Sequence, residues 1–187
     1  MITKAIEFAA IAHNGQYRKG TNIPYIVHPM TVMYYLMDNC CCEKQLTAAI
    51  LHDVLEDTIS TSKEIEKEFG TEILEMVTYL TEPNKSKSWK ERKEHTINVI
   101  KNEMPLNVLY VSCADKLHNL RCFHENYLKI GEKLWSNFAA PKEEQKWYYK
   151  SLADAFIHRA KGLDNKKLFE DFNEEVNVFF NSIVKFD

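Results

Sequence analysis

Glycine and proline are scarce in this sequence, with five of each among 187 residues. So few turn-formers disfavour both a loop-rich β fold and a disordered chain. Long apolar runs are missing too, so no transmembrane helix is expected. The first residues, MITKAIEFAAIAHNGQ, are interrupted by Glu7 and lack a small-residue cleavage site, which argues against a signal peptide. Basic charge is not in excess: the formal charge is −3 and the pI about 6.2. No global field invites nucleic acid or an anionic membrane, and neither is expected as a partner. Cysteines number five, at 40, 41, 42, 113 and 122, and an odd count fits a reducing cytosol, so a cytoplasmic location is expected. Cys40-Cys41-Cys42 lacks the C-x-x-C spacing of a zinc knuckle and reads as a corner between helices.

What is present is helical periodicity and a core. Hydrophobic residues make up 45% of the chain, and its length suits one domain with room for a terminal extension. The spacing predicts a helix over 2–13 and a loop over 14–27, where Gly15, Gly20 and Pro24 fall. Pro29 suits the first turn of a helix to about Asp38. An apolar helix is expected over 44–56. Thr61 and Glu64 form a T-x-x-E capping box, with Gly70 where that helix should stop. Helices over 71–80 and 89–102 flank a polar loop, TEPNKSKS, at 81–88. LNVLYVS has strand-like content, yet the apolar spacing through Leu109, Val111, Ala114, Leu117 and Leu120 favours one long buried helix over 106–126. Helices over about 142–161 and 165–183 complete an all-α reading, a compact single-domain helical bundle.

Within the apolar helix sits LHDVLEDT, residues 51–58. Leu51, Val54 and Leu55 are spaced to face a core, yet His52, Asp53, Glu56 and Asp57 interrupt them. Residues four apart share a helix face, which stacks His52 with Glu56 and Asp53 with Asp57. No Lys or Arg lies between Gln45 and Ser62, so nothing local neutralises these acids. A buried carboxylate without a partner costs several kcal/mol or changes its protonation state. Two further residues are out of place: Asp115, inside the long apolar helix with Asn119 one turn later, and His28 in IPYIVHP, just before a helix start. Singly each has an ordinary reading, as a cap or a surface residue. Jointly, His28, His52, Asp53 and Asp115 make a mixed nitrogen and oxygen set that suits manganese, iron or zinc with positions open to water. The set contains no cysteine, unlike a closed structural zinc site.

These residues lie in segments that resemble a known family. AHNGQYRKGTNIPYIVHP (12–29), AAILHDVLEDT (48–58), FGTEILEMV (69–77), ERK (91–93), CADKLHNLR (113–121) and QKWYY (145–149) recur in order. They resemble the HD-domain metal phosphohydrolases, specifically the (p)ppGpp hydrolase domain of Rel/Spo-type proteins, and most of all the small alarmone hydrolases. The resemblance covers residues 1 to about 156 as an HD-type domain, with 157–187 as a helical extension packed on it. It implies an all-helical fold and metal ligands His28, His52, Asp53 and Asp115, with manganese as the ion. It implies that Glu56 and Asp57 serve an attacking water, that Arg18 and Lys19 hold the substrate end of the pocket, that Asn119 contacts the nucleotide, and that Tyr148 lies near phosphates or sugar.

The implied reaction is hydrolysis of the 3′-diphosphate of guanosine tetra- or pentaphosphate, giving pyrophosphate and GDP or GTP. Such an anionic substrate calls for local cations in a negative protein, and Arg18 and Lys19 supply them beside the metal. Cys122 stands where long relatives usually carry a small hydroxyl residue, which bears on base recognition. Two alternatives stay open: the same chemistry on another nucleotide carrying a 2′- or 3′-phosphate, or a non-catalytic alarmone sensor. Trp89, Trp135 and Trp147 read as packing residues, His95, His124 and His158 as exposed ones, and His118 as a neighbour of the site or a surface residue. KSKSWKERKEH (85–95) reads as a solvated face, with Arg92 the residue best placed to rim a pocket.

Overall fold

The computed structural model describes residues 1–39, 41–82 and 86–182. Cys40, residues 83–85 of the expected loop, and 183–187 at the end of the expected last helix and extension lie outside the described residues. The described residues form helices, with one isolated bridge between Tyr17 and Pro24 and no strand among them. Two compact units divide the chain: Met1–Pro83 with Pro105–Asp115, and Asn84–Met104 with Lys116–Asp187.

The first unit holds α1 (Ile2–Ala12), α2 (Val27–Met37), α3 (Glu43–Leu51), α4 (Val54–Asp57), α5 (Ser62–Phe69), α6 (Thr71–Leu80) and the start of α8 (Leu106–Ile130). Its centre is α3, which packs on α1, α2 and α6. Glu43 and Lys44 at its start are exposed, but every residue from Gln45 to Leu51 is buried, so this stretch has no solvent face. That is why its sequence is apolar almost without interruption. Of its two polar residues, Thr47 donates to the Glu43 carbonyl at 2.8 Å, and Gln45 reaches the Asn107 carbonyl with its amide at 3.1 Å while its Oε1 accepts from the Cys42 backbone at 3.0 Å.

Local chemistry sets most boundaries. Thr61 Oγ1 accepts from the Glu64 N–H, and Glu64 Oε2 accepts from the Thr61 N–H at 2.7 Å, the reciprocal pairing that T-x-x-E encodes. Gly70 ends α5 with φ 87°, a left-handed value that side chains disfavour. The expected helix over 44–56, however, is two pieces: α3 ends at Leu51, and α4 is a single turn beginning at Val54. Between them, His52 turns its Nδ1–H onto the Ala49 carbonyl at 2.7 Å. A continuing helix would give that carbonyl to the backbone N–H of Asp53, so the side chain competes with the ladder. His28 also differs from expectation. It is the second residue of α2 and not a residue ahead of it.

The second unit holds α7 (Trp89–Asn102), the rest of α8, a 3₁₀ helix (Gly131–Asn137), α9 (Lys142–Arg159) and α10 (Lys167–Ser182). The strand-like LNVLYVS is helical throughout, as the longer apolar spacing requires. Aromatic rings fill this core: Phe156 lies 5.9 Å from Phe169 and 5.4 Å from Phe172, and Phe179 lies 4.7 Å from Phe180. His124, expected to be exposed, is half-buried. It pairs with Glu175 at 2.8 Å and packs on Phe179. Arg159 closes the end of α7, donating to the carbonyls of Ile100 and Met104 at 2.8 Å each. Those are charge-assisted bonds to groups the helix itself leaves unpaired. Arg159→Ala is expected to destabilise the protein by about 2 kcal/mol. Chemical denaturation checks this, as a lower midpoint at unchanged slope.

Candidate metal centre

The site forms where three chain segments of the first unit meet. The first turn of α2 brings His28, the break after α3 brings His52 and Asp53, and α8 brings Asp115. One ligand atom each from His28, His52 and Asp53 falls within 4.8 Å of the others. His28 Nε2 lies 3.1 Å from Asp115 Oδ1, 3.5 Å from Asp53 Oδ2 and 3.2 Å from His52 Nε2. His52 Nε2 lies 3.1 Å from Asp53 Oδ2 and 3.7 Å from Asp115 Oδ1. Both imidazoles are almost fully buried, at 1% and 2% exposure, and Asp115 nearly so at 7%.

Such a cluster is short of positive charge. The Ala49 carbonyl accepts from His52 Nδ1, so the neutral ring turns its Nε2 lone pair on Asp53 and His28. Lone pair would then face carboxylate. Burial alone pushes His52 down, but Asp53 and Asp115 more than offset it and hold the imidazole well above its ordinary value. His28 goes the other way: burial lowers it, with the Asp115 bond opposing. Burial would raise Asp53, yet His52 and His28 hold its carboxyl far below the usual range. One proton is thus drawn into the cluster, onto His52. A divalent cation meets the same demand more fully, and two imidazoles with two carboxylates are suitable donors for one. The residues fit a metal.

The other expected site residues of the unit lie on α4 and on the loop before α2. Glu56 is half-buried, and its Oε2 accepts from the Glu82 N–H at 3.1 Å. Burial raises its pKa, with the Glu82 N–H opposing and the nearby carboxylates of Glu82, Asp53 and Asp57 adding to the rise. Asp57 is exposed at the end of α4, its backbone N–H bonded to the Asp53 carbonyl at 2.9 Å. Arg18 sits on the loop between α1 and α2 with its guanidinium 5.7 Å from the Tyr25 ring centroid, and Lys19 beside it is exposed.

Asn119 and Tyr148 belong to the second unit. Asn119 is half-buried on α8. Tyr148 is 5% exposed on α9, beside Trp89 and Tyr149, with the Lys93 ammonium 5.4 Å from its ring centroid. His118 lies 3.5 Å from Cys122 Sγ one turn along α8.

Sequence reading passes over Tyr25. Its hydroxyl donates to Asp53 Oδ2 at 2.6 Å and lies 3.3 Å from Asp57 Oδ2. Burial and the Asp53 carboxylate push this phenol far above its ordinary range. The available signal is its position three residues before His28, the spacing at which residues of a turn share a side.

This geometry belongs to a recognised class. The chain is a member of the HD domain family, matched across residues 5–142. The guanosine-3′,5′-bis(diphosphate) 3′-pyrophosphohydrolase of Borreliella burgdorferi is 38% identical over 123 residues, covering 64% of this chain and 18% of that protein. Its namesake from Spiroplasma citri is 36% identical over 136 residues, 68% of this chain and 17% of the relative. The chain therefore spans less than a fifth of the length of these curated relatives. Among solved structures, lmo0812 from Listeria monocytogenes is 32% identical with a TM-score of 0.73, covering 82% of this chain and 99% of that one. A metazoan orthologue of SpoT that hydrolyses ppGpp is 25% identical with a TM-score of 0.73, covering 94% of this chain and 93% of the other.

The electrostatics give a signed pH dependence. His52, with its folded-state value raised above the ordinary 6.5, contributes stability that is fully present below 6.5 and lost as pH rises through the folded value. A bound divalent metal competes with that proton, so its own affinity rises over the same interval. Metal-free protein should therefore lose thermal stability as pH rises above 6.5, and a saturating divalent metal should reverse the trend. Unfolding temperatures with chelator and with manganese check the sign.

Proposed function

We propose that the chain is a manganese-dependent hydrolase that removes the 3′-diphosphate of guanosine tetra- or pentaphosphate, releasing pyrophosphate and GDP or GTP. The observation that carries this reading is the convergence of His28, His52, Asp53 and Asp115 beside the Glu56–Asp57 pair. The names and activities of the relatives support the substrate. In this reading residues 1–156 form the HD-type catalytic domain and 157–187 an extension packed on it. Among the described residues no helix is long and apolar enough to cross a membrane. We place the protein in the cytoplasm, with a small-molecule nucleotide as its partner and neither nucleic acid nor membrane.

His28, His52, Asp53 and Asp115 would hold the ion, which when bound polarises a phosphoryl oxygen and acidifies a water. The rest falls to the protein's own side chains. Glu56 is the proton acceptor: its raised pKa, set first by burial, moves it toward the range where a carboxylate accepts a proton near neutral pH. Its backbone partner at Glu82 fixes the carboxylate, so the acceptor does not wander. Asp57, exposed one residue further on, orients the attacking water. Arg18 and Lys19 offset the charge of the polyphosphate, and Arg18 offers a planar face to a purine. Asn119 contacts the nucleotide, and Tyr148 the phosphates or sugar.

Product analysis tests the reading. Incubated with manganese and a panel of guanine nucleotides, the protein should release pyrophosphate from the 3′-diphosphates; orthophosphate as the main product would point to another phosphorylated nucleotide. Binding without turnover would identify a sensor. Asp53→Ala should abolish turnover, as should chelation until manganese returns, and other divalent ions in its place rank the metal preference. Glu56→Gln should retain metal and lose roughly 10²–10⁴-fold in kcat. A near-normal rate takes Glu56 out of proton transfer.

A further inference from the structure

Tyr25 is braced from several directions. Its backbone N–H donates to the Gln16 carbonyl at 2.9 Å, closing the loop beside the Tyr17–Pro24 bridge. Its ring lies 4.8 Å from the buried His13, tilted by 31°, and 5.8 Å edge-on from His28. His13 is itself fixed, with Nδ1 2.7 Å from Gln16 Oε1. The Gln16 amide orientation is unambiguous, because its Nε2 donates to the Asp57 carbonyl at 2.6 Å and only N–H can do so. His13 Nδ1 must then be the donor to Oε1. The segment A-H-N-G-Q thus grips Tyr25 from one side and the Asp57 backbone from the other.

The hydroxyl at the end of this brace meets two carboxylates. Its one proton goes to Asp53 Oδ2 at 2.6 Å, the same oxygen that faces His52 at 3.1 Å, while Asp57 Oδ2 stands 3.3 Å away. A carboxylate rotates freely about its last bond unless a donor fixes it, and donors behind a ligand set both its orientation and its basicity. We propose that Tyr25 is the positioning residue of the site: its hydroxyl locks the Asp53 carboxylate in the orientation that faces the two imidazoles and keeps Asp57 in register with it. This rests on the metal-dependent reading above and adds to it a residue that links the loop before α2 to both carboxylates. His13 and Gln16 act through Tyr25 and the Asp57 backbone, so none of the three need touch the substrate.

Tyr25→Phe removes the hydroxyl and keeps the ring. The probe is manganese alone, titrated into the metal-free full chain by calorimetry. The variant should bind manganese about 10–100-fold more weakly than the wild type. At saturating manganese its kcat should stay reduced while KM for ppGpp stays within about threefold, because orientation of the reacting groups and not substrate capture is lost. Its metal-free form should stay folded, with an unfolding temperature lowered by only a few degrees. Unchanged manganese affinity and kcat in a wild type that binds manganese and turns over would overturn this assignment alone. Loss of fold on removing the hydroxyl would assign Tyr25 a purely structural role and overturn it as well. A wild type that binds no manganese removes the underlying reading, and this proposal with it.

Discussion

Two carboxylates and two imidazoles are held together out of water, and the site is a response to that arrangement. Asp53, partly exposed, and Asp115, nearly buried, bring two negative charges to a place that solvent screens little. With both rings neutral, neither imidazole would offset that charge. A proton on His52 halves it; a divalent ion cancels it with both imidazoles neutral. The geometry adds to the demand, since the cluster lies at the carbonyl end of α3, where the helix contributes partial negative charge of its own. Two carboxylates that converge on the same buried pair of imidazoles are costly enough to favour a bound cation.

The backbone break after Leu51 follows from the same constraint. An unbroken helix would present His52 and Asp53 about 100° apart around its axis, directing them to different surroundings. Ending α3 at Leu51 frees Asp53 to turn, and the Ala49 carbonyl captures His52 Nδ1, which aims Nε2 at Asp53. One hydrogen bond therefore ends the helix, selects the tautomer and sets the ligand-facing nitrogen. Because α3 is buried from Gln45 to Leu51, the break has a rigid body behind it, and the side chains beyond it inherit that rigidity.

Features encoded within a few residues are legible in the sequence, and features made by distant contacts are not. Thr61 with Glu64, and Gly70 after Phe69, are local devices whose chemistry is complete in four residues. The buried helix from Leu106 is readable only because its apolar spacing runs long enough to outweigh a strand-like opening. The 3₁₀ helix at Gly131–Asn137 is too short to show a period. The oddity of His28, His52, Asp53 and Asp115 is visible from their apolar settings, whereas their separations are tertiary facts. Tyr25 and His124 are missed for one reason: their partners Asp53 and Glu175 lie 28 and 51 residues away, and the three-residue step from Tyr25 to His28 is too slight a local signal to reveal such a partner.

The pair Glu56–Asp57 shows how one dipeptide can be divided by its surroundings. Glu56 points into a half-buried position, near the carboxylates of Glu82, Asp53 and Asp57 and bonded to the Glu82 N–H. Asp57 reaches solvent beside the Tyr25 hydroxyl. A group that must take up a proton gains from being desolvated, since burial raises its basicity; a group that only orients water gains from remaining charged and wet. Within the proposed reaction this asymmetry assigns the proton to Glu56. The reverse assignment would leave Glu56, whose basicity burial raises, without a proton to take.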